Sequence, residues 1–164
     1  MRLAPLVPLA AALALGACAK KAPQELPPPP VDQTPVAQAP SGPLPGSQED
    51  FVRTVMSDTI HFETDLSDVR PEDASILQSQ AQCLARYPNK RISIEGHADE
   101  RGTRDYNIAL GERRANAAKN YLASLGVDPS RMSTISYGKE RPVALGSDPE
   151  SWAKNRRAVT ITVQ

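Results

Sequence analysis

The chain has 164 residues, 19 basic and 19 acidic side chains and a formal net charge of zero, with 40% hydrophobic residues but only 4% aromatic ones. That length holds one ordinary domain plus extensions. Residues 51–164 carry sixteen Lys and Arg against fifteen Asp and Glu, with no basic-aromatic interleaving, so the pattern excludes a nucleic-acid-binding surface.

Residues 1–17 read as an export signal peptide. Arg2 makes a short positive start, and the thirteen residues Leu3 to Leu15 are apolar apart from Pro5 and Pro8. That run is too short for a membrane-spanning helix of about 20 residues and fits the apolar core of a signal peptide. It ends in Leu15-Gly16-Ala17-Cys18, which resembles a bacterial lipobox: small residues ahead of a cysteine whose thiol accepts lipid. The lipobox implies a covalent lipid on Cys18, N-acyl and S-diacylglycerol, and no other cofactor is expected. Cys83 is then left without a disulfide partner. Its place between Ala81 and Leu84 in a helical pattern predicts a small buried hydrophobe with no chemistry. Residues 18–50 hold nine of the sixteen prolines, including Pro27 to Pro30. Such a segment cannot bury a core and is expected to be a disordered tether, about 30 Å long as a coil and up to about 100 Å as polyproline II.

From Phe51 to Gln164 the patterning is that of a folded domain. Thr59-Ile60-His61-Phe62 alternates like a strand. Pro71-Glu72-Asp73 suits a helix start, proline in the first turn and acids at the positive dipole end. Ala74, Leu77, Ala81 and Leu84 carry that helix forward to Pro88. Arg91 to Gly96 is a second strand. A second helix is predicted from about Asp105 to Leu125, ended by Gly126 as the C′ residue, with a core stripe of Ile108, Gly111, Ala115, Ala118, Leu122 and Leu125. Strands at Thr134 to Tyr137 and Ala158 to Val163 follow, with a short Trp152-bearing helix between them at Glu150 to Lys154. The order βαβα and then two strands predicts an α/β sandwich, two main helices packed on one side of a mixed sheet.

The stretch Gly96-His97-Ala98-Asp99-Glu100-Arg101-Gly102-Thr103 is a charged loop between a strand end and a helix start. On that helix Asn107, Leu110 and Arg114 are spaced i, i+3, i+7, a stripe beside the core stripe. Arg113 points about 100° away from it. A carboxylate on Asp99 and a guanidinium on Arg114 facing each other suit a zwitterion, ammonium to Asp99 and carboxylate to the bidentate Arg114 fork. The same spacing also allows a plain Asp99–Arg114 salt bridge that pins loop to helix. Arg101 and the backbone amides near Gly102 and Thr103 are candidates for the pocket wall. His97 is expected to be a hydrogen-bonded structural residue: the chain has two histidines and no clustered metal-ligand spacing. No Ser or Cys nucleophile stands in a recognisable motif, so no catalytic residue and no enzyme activity are expected. Asn155-Arg156-Arg157 reads as a solvated lead into the last strand or as a partner contact.

His97 to Thr103, Tyr106-Asn107 and Leu110 to Ala115 together resemble the OmpA-like peptidoglycan-binding domain family, in its peptidoglycan-associated lipoprotein (Pal) branch. The resemblance covers roughly residues 57–164 and implies the same sandwich fold. It also implies that Asp99 and Arg114 hold the free end of diaminopimelate in a peptidoglycan stem peptide. Asp65 matches an acidic position that the branch places near the ligand; a turn or helix-capping role shared with Asp68 accounts for it equally well. Arg101, Leu110 and Asn107 complete the ligand set. The chain departs from the general pattern at Gly111, where serine is usual, and at Ala98, where threonine is common; both are read as smaller side chains at the pocket rim. With Ala19 rather than aspartate after Cys18, the resemblance implies an outer-membrane lipoprotein with its domain in the periplasm. It further implies membership of the Tol-Pal system, a TolB-type β-propeller protein as partner, and a role in membrane integrity and constriction at division. A wall-anchoring lipoprotein independent of the Tol proteins is the alternative, and a peptidoglycan hydrolase a weaker one.

Overall fold

The computed structural model describes residues 42–163. The signal peptide, Cys18 and the tether up to residue 41 lie outside the described residues. Regular structure starts ahead of the expected boundary at 51: Ser47 accepts from the Asp50 N–H and caps helix α1, Gln48–Thr54. Phe51 is buried on its inner side, and Gln48 fastens the helix to the sheet by accepting from the Thr162 N–H at 2.7 Å. Sequence patterning did not identify this helix, which is too short to show a full apolar stripe.

The other elements are β1 (Thr59–His61), α2 (Pro71–Arg86), β2 (Arg91–His97), α3 (Arg104–Ser124), β3 (Met132–Gly138), α4 (Pro149–Asn155) and β4 (Arg157–Val163). The sheet order is β1-β4-β2-β3; β4 runs antiparallel to β1 and β2, and β2 runs parallel to β3. This is the mixed sheet that the sequence predicts. Ile60, Ile92, Ile94, Met132 and Ala158 point from it into one core with Leu77, Ala81, Cys83 and Leu84 of α2 and Ala115, Ala118 and Leu122 of α3. Cys83 is a buried free thiol, as its spacing suggested. Gly126 has φ +95°, the left-handed turn that ends α3 beyond Leu125.

The stripe on α3 is shifted from the predicted one. Asn107, Leu110, Gly111, Arg114, Ala115, Ala118 and Leu122 are the buried residues, while Ile108 is half-buried and Leu125 is exposed. The cause is a close approach between two glycines. A Cβ on Gly96 would overlap the Gly111 carbonyl oxygen, and one on Gly111 would overlap Ser136 Oγ and lie 2.8 Å from the Gly96 oxygen. The N-terminal half of α3 therefore lies directly on the sheet, and its 107-110-114 side faces inward. Gly111 is a packing residue at this contact, and Ala98 is 3% exposed; neither is at a rim.

Candidate functional site

At its C-terminal end β2 changes register against β3: Gly96 pairs with Ser136, but His97 pairs with Gly138. The Ala98 N–H donates to the Gly138 oxygen at 2.8 Å, and the chain then leaves the sheet as the loop that carries Asp99. Gly102, at φ +87°, turns this loop into α3, and Thr103 caps the helix by accepting from the Tyr106 N–H. Other elements grip the loop. Asn107 Nδ2 donates to the Arg101 oxygen at 2.7 Å, and Lys139 Nζ donates to the Gly102 oxygen at 2.7 Å. Trp152 Nε1 donates to Glu100 Oε1 at 2.9 Å.

Asp99 is 7% exposed, so its charge needs partners. Arg101 supplies a fork, Nε to Oδ1 at 3.0 Å and Nη2 to Oδ2 at 2.7 Å, and its backbone N–H adds a third bond at 3.1 Å. Arg156 Nη1 stands 3.4 Å from Oδ2. Burial pushes the carboxyl pKa up, but the Arg101 bonds and charge, helped by Arg156, outweigh it and leave the pKa below the ordinary carboxylate value. In front of Asp99 is a hollow of about 240 Å³ lined by Thr64, Asp65, Asp99, Arg101, Gly102 and Tyr106. Asp65 sits in the left-handed region at φ +57°, which Asp tolerates better than most side chains, and accepts from the Tyr106 hydroxyl at 3.3 Å. The turn role suggested for Asp65 is therefore real; α2 is entered through Arg70 with no side-chain cap.

Arg114 is 0% exposed. It lies within the buried side of α3, not beside it. Nε donates to the Leu66 oxygen at 2.9 Å, Nη1 to the His97 oxygen at 2.9 Å and Nη2 to the Glu63 oxygen at 3.0 Å. The guanidinium also faces the Phe62 ring, 5.3 Å from its centroid. Among the described residues no carboxylate comes within ion-pair distance of it, so the Asp99–Arg114 salt bridge that the spacing allowed is not formed. Burial, then the nearby Arg156 charge, lower its pKa to about 10, against the opposite pull of Asp99, Asp65 and Tyr106. Arg113, by contrast, is exposed on another face, as the helical geometry required.

Of the remaining site candidates, Leu110 and Asn107 are 3% and 2% exposed and do not line the hollow; Asn107 acts through its bond to the loop. His97 is buried but has no hydrogen-bond partner among the described residues. Both ring nitrogens lack partners, Glu95 Oε2 is 3.8 Å from Nε2, and Tyr137 lies against the ring. Burial, with the charges of Arg157 and Arg141, lowers its pKa to about 4. The expected hydrogen-bonding role is thus corrected to that of a neutral packed ring. The Asn155-Arg156-Arg157 run is not merely solvated. Asn155 ties down the Val143 and Ala144 amides, and Arg157 is buried with Nη2 on the Arg141 oxygen. Arg156 Nε bonds the Phe62 oxygen while Nη1 reaches Asp99. Trp152 and Arg156 join the site from more than 50 residues away, which no local spacing can reveal. A larger hollow of about 380 Å³, lined by Arg86, Tyr87, Pro88, Asn89, Lys90, Arg91 and Val163, lacks a carboxylate among these residues and so offers nothing to an ammonium.

A family model described as the OmpA family matches residues 61–156, which include the whole loop and α3. The chain belongs to the OmpA family. A peptidoglycan-associated lipoprotein of Agrobacterium fabrum is 59% identical over 117 residues, covering 71% of this chain and 66% of that protein. One of Rhizobium meliloti is 50% identical over 156 residues, 95% of this chain and 85% of that protein. The crystal structure of the peptidoglycan-associated lipoprotein from Burkholderia pseudomallei superposes with a TM-score of 0.65 at 42% identity, covering 70% of this chain and all of that one. The family sandwich, with its two main helices on a four-stranded mixed sheet, is the fold described above.

Proposed function

We propose that this chain is an outer-membrane lipoprotein that binds peptidoglycan noncovalently through the diaminopimelate of a stem peptide. The supporting observation is electrostatic. Arg114 is a fully buried cation with three backbone carbonyls but no carboxylate partner among the described residues. It does not line the hollow walled by Asp65 and Asp99, but two of the carbonyls it holds, Glu63 and Leu66, flank the Thr64-Asp65 wall of that hollow in the chain. Buried charges are ordinarily paired, and a guanidinium has five N–H donors, of which three are used here. A ligand carboxylate supplies the missing counter-ion to the two that remain. The ammonium on the same carbon goes to Asp99 and Asp65, with Arg101 and the Gly102 and Thr103 amides closing the rim. The chemistry is recognition, not bond cleavage.

An acylated Cys18 holds the protein in the outer membrane, and the Pro-rich tether lets the domain reach the wall from the periplasmic side. Similarity to peptidoglycan-associated lipoproteins supports placement in the Tol-Pal system, with a TolB-type β-propeller protein as partner and a role at cell division.

Calorimetry tests the site with two muropeptides, one carrying diaminopimelate and one lysine, which lacks the side-chain carboxylate. The wild type is expected to bind the first and lose about 2–5 kcal/mol on Asp99→Ala, because the desolvated ligand ammonium loses one of its two carboxylate partners and keeps only Asp65. Arg113→Ala should bind like wild type. Equal affinity for the two muropeptides, or an undiminished Asp99→Ala, overturns the reading.

A further inference from the structure

We propose that Trp152 is a positioning residue of the peptide site, holding the Arg101 guanidinium against Asp99 so that the hollow stays open. This rests on the reading of the Asp99 hollow as that site. The Arg101 guanidinium carbon lies 4.3 Å from the centroid of the indole, a stacked cation–π contact. The indole is itself oriented by its Nε1–H bond to Glu100 Oε1 at 2.9 Å. A closed ring of contacts results: Asp99 to Arg101 by the ion pair, Arg101 to Trp152 by stacking, Trp152 to Glu100 by a hydrogen bond.

Such a support is needed because of how Arg101 sits. Its side chain is 42% exposed and lines a hollow of only about 240 Å³. The Asp99 fork and a 3.4 Å contact of Nη2 with Thr64 Oγ1 fix the head of this side chain but leave it partly in water, and an arginine has several rotamers to give up on being held. Because Arg101 is part of the wall, a guanidinium released from Asp99 narrows the hollow. Stacked on the indole face, the guanidinium keeps Nε and Nη2 both directed at Asp99. An ammonium in the hollow then meets the Asp65 carboxylate, with Asp99, already bonded by Arg101 and Arg156, as a second negative charge in the wall.

Helix α4 fits this task. At seven residues it is too short to be stable alone. Asp148 caps it by accepting from the Glu150 and Ser151 N–H groups at 3.0 Å, Pro149 starts it, and Asn155 ties its end to the 143–144 backbone. Lys139, Asn107 and Arg156 grip the loop backbone or Asp99; beside the Asp99 fork and the Thr64 hydroxyl, the Trp152 stack holds the face of the exposed guanidinium.

The test is calorimetry with a diaminopimelate-containing muropeptide on the full-length chain carrying Cys18→Ser. Trp152→Leu should bind about fivefold more weakly, and Trp152→Phe, which keeps an aromatic face, within about twofold of wild type. In an Arg101→Gln background Trp152→Leu should cause no further loss, whereas a general destabilisation acts in both backgrounds. Trp152 is the only tryptophan, so its emission should shift on ligand addition and stay unchanged in Asp99→Ala. Wild-type affinity in a folded Trp152→Leu, or losses that multiply with Arg101→Gln, overturns the positioning role. If Asp99→Ala itself binds normally, the site reading falls and this inference with it. If Asp99→Ala loses binding while the Trp152 and Arg101 losses multiply, the positioning role alone falls.

Discussion

Replacing Arg114 by alanine should destabilise the domain before it says anything about ligand. The side chain is fully buried and its three donors close carbonyls from two separate segments, Glu63 and Leu66 after β1 and His97 at the end of β2. Each hydrogen bond from a charged donor contributes about 1.5–3 kcal/mol, so the gross loss is several kcal/mol. Two effects reduce it. Glu63 and Leu66 belong to an exposed loop whose carbonyls water can reach, and the mutant no longer desolvates a cation. A net loss of about 3–4 kcal/mol follows, with the buried His97 carbonyl and the emptied volume as the uncompensated part. For a domain of this size that is about 10–15 °C in melting temperature. Arg114→Lys, whose single ammonium cannot span three carbonyls, should lose about 2 kcal/mol. Urea and thermal unfolding followed by circular dichroism measure both. An Arg114→Ala protein melting within about 3 °C of wild type would refute the argument, since the guanidinium would then not be joining those segments.

His97 predicts a pH dependence. Its pKa is about 6.5 unfolded and about 4 folded, so below pH 6.5 the unfolded chain takes up a proton that the native site refuses. Stability is therefore full above about pH 6.5, falls progressively toward pH 4, and has lost about 3 kcal/mol there. His97→Leu should be as stable as wild type at pH 7.5, since no hydrogen bond is lost, and show a flatter urea-midpoint profile down to pH 4.5; an unchanged slope counts against this assignment. At the helix–sheet contact, Gly111→Ala should cost about 1–3 kcal/mol by overpacking against Ser136 Oγ and the Gly96 carbonyl. Ser136→Gly should recover part of that loss in the double variant, and a Gly111→Ala protein with the wild-type denaturation midpoint would show that the sheet yields freely.

The alternating Arg91-to-Gly96 run, the Pro71 helix start and the Gly126 helix end are local signals, and each element lies within two or three residues of where they place it. Their order was enough for the layer architecture, because two amphipathic helices and four short strands have few ways to bury one core. The loop from His97 to Thr103 was likewise legible as a charged segment between a strand end and a helix start, and Asp99 and Asp65 do face one hollow.

What patterning could not show is which polar residues the sheet pulls inside. Arg114 reads as a surface charge on a helical wheel, and only the Gly96–Gly111 approach, between residues fifteen apart on different elements, turns it inward. For the same reason Asp99 is neutralised by Arg101 and Arg156 and not by Arg114. Trp152 reaches the loop through a short helix whose existence depends on its caps and neighbours. Hydrophobic period and turn chemistry are properties of a few adjacent residues, so the sequence by itself determined the elements, their order and the loop that bears the candidate site. Charge pairing and burial depend on distances between segments far apart in the chain, and these the tertiary structure alone decided.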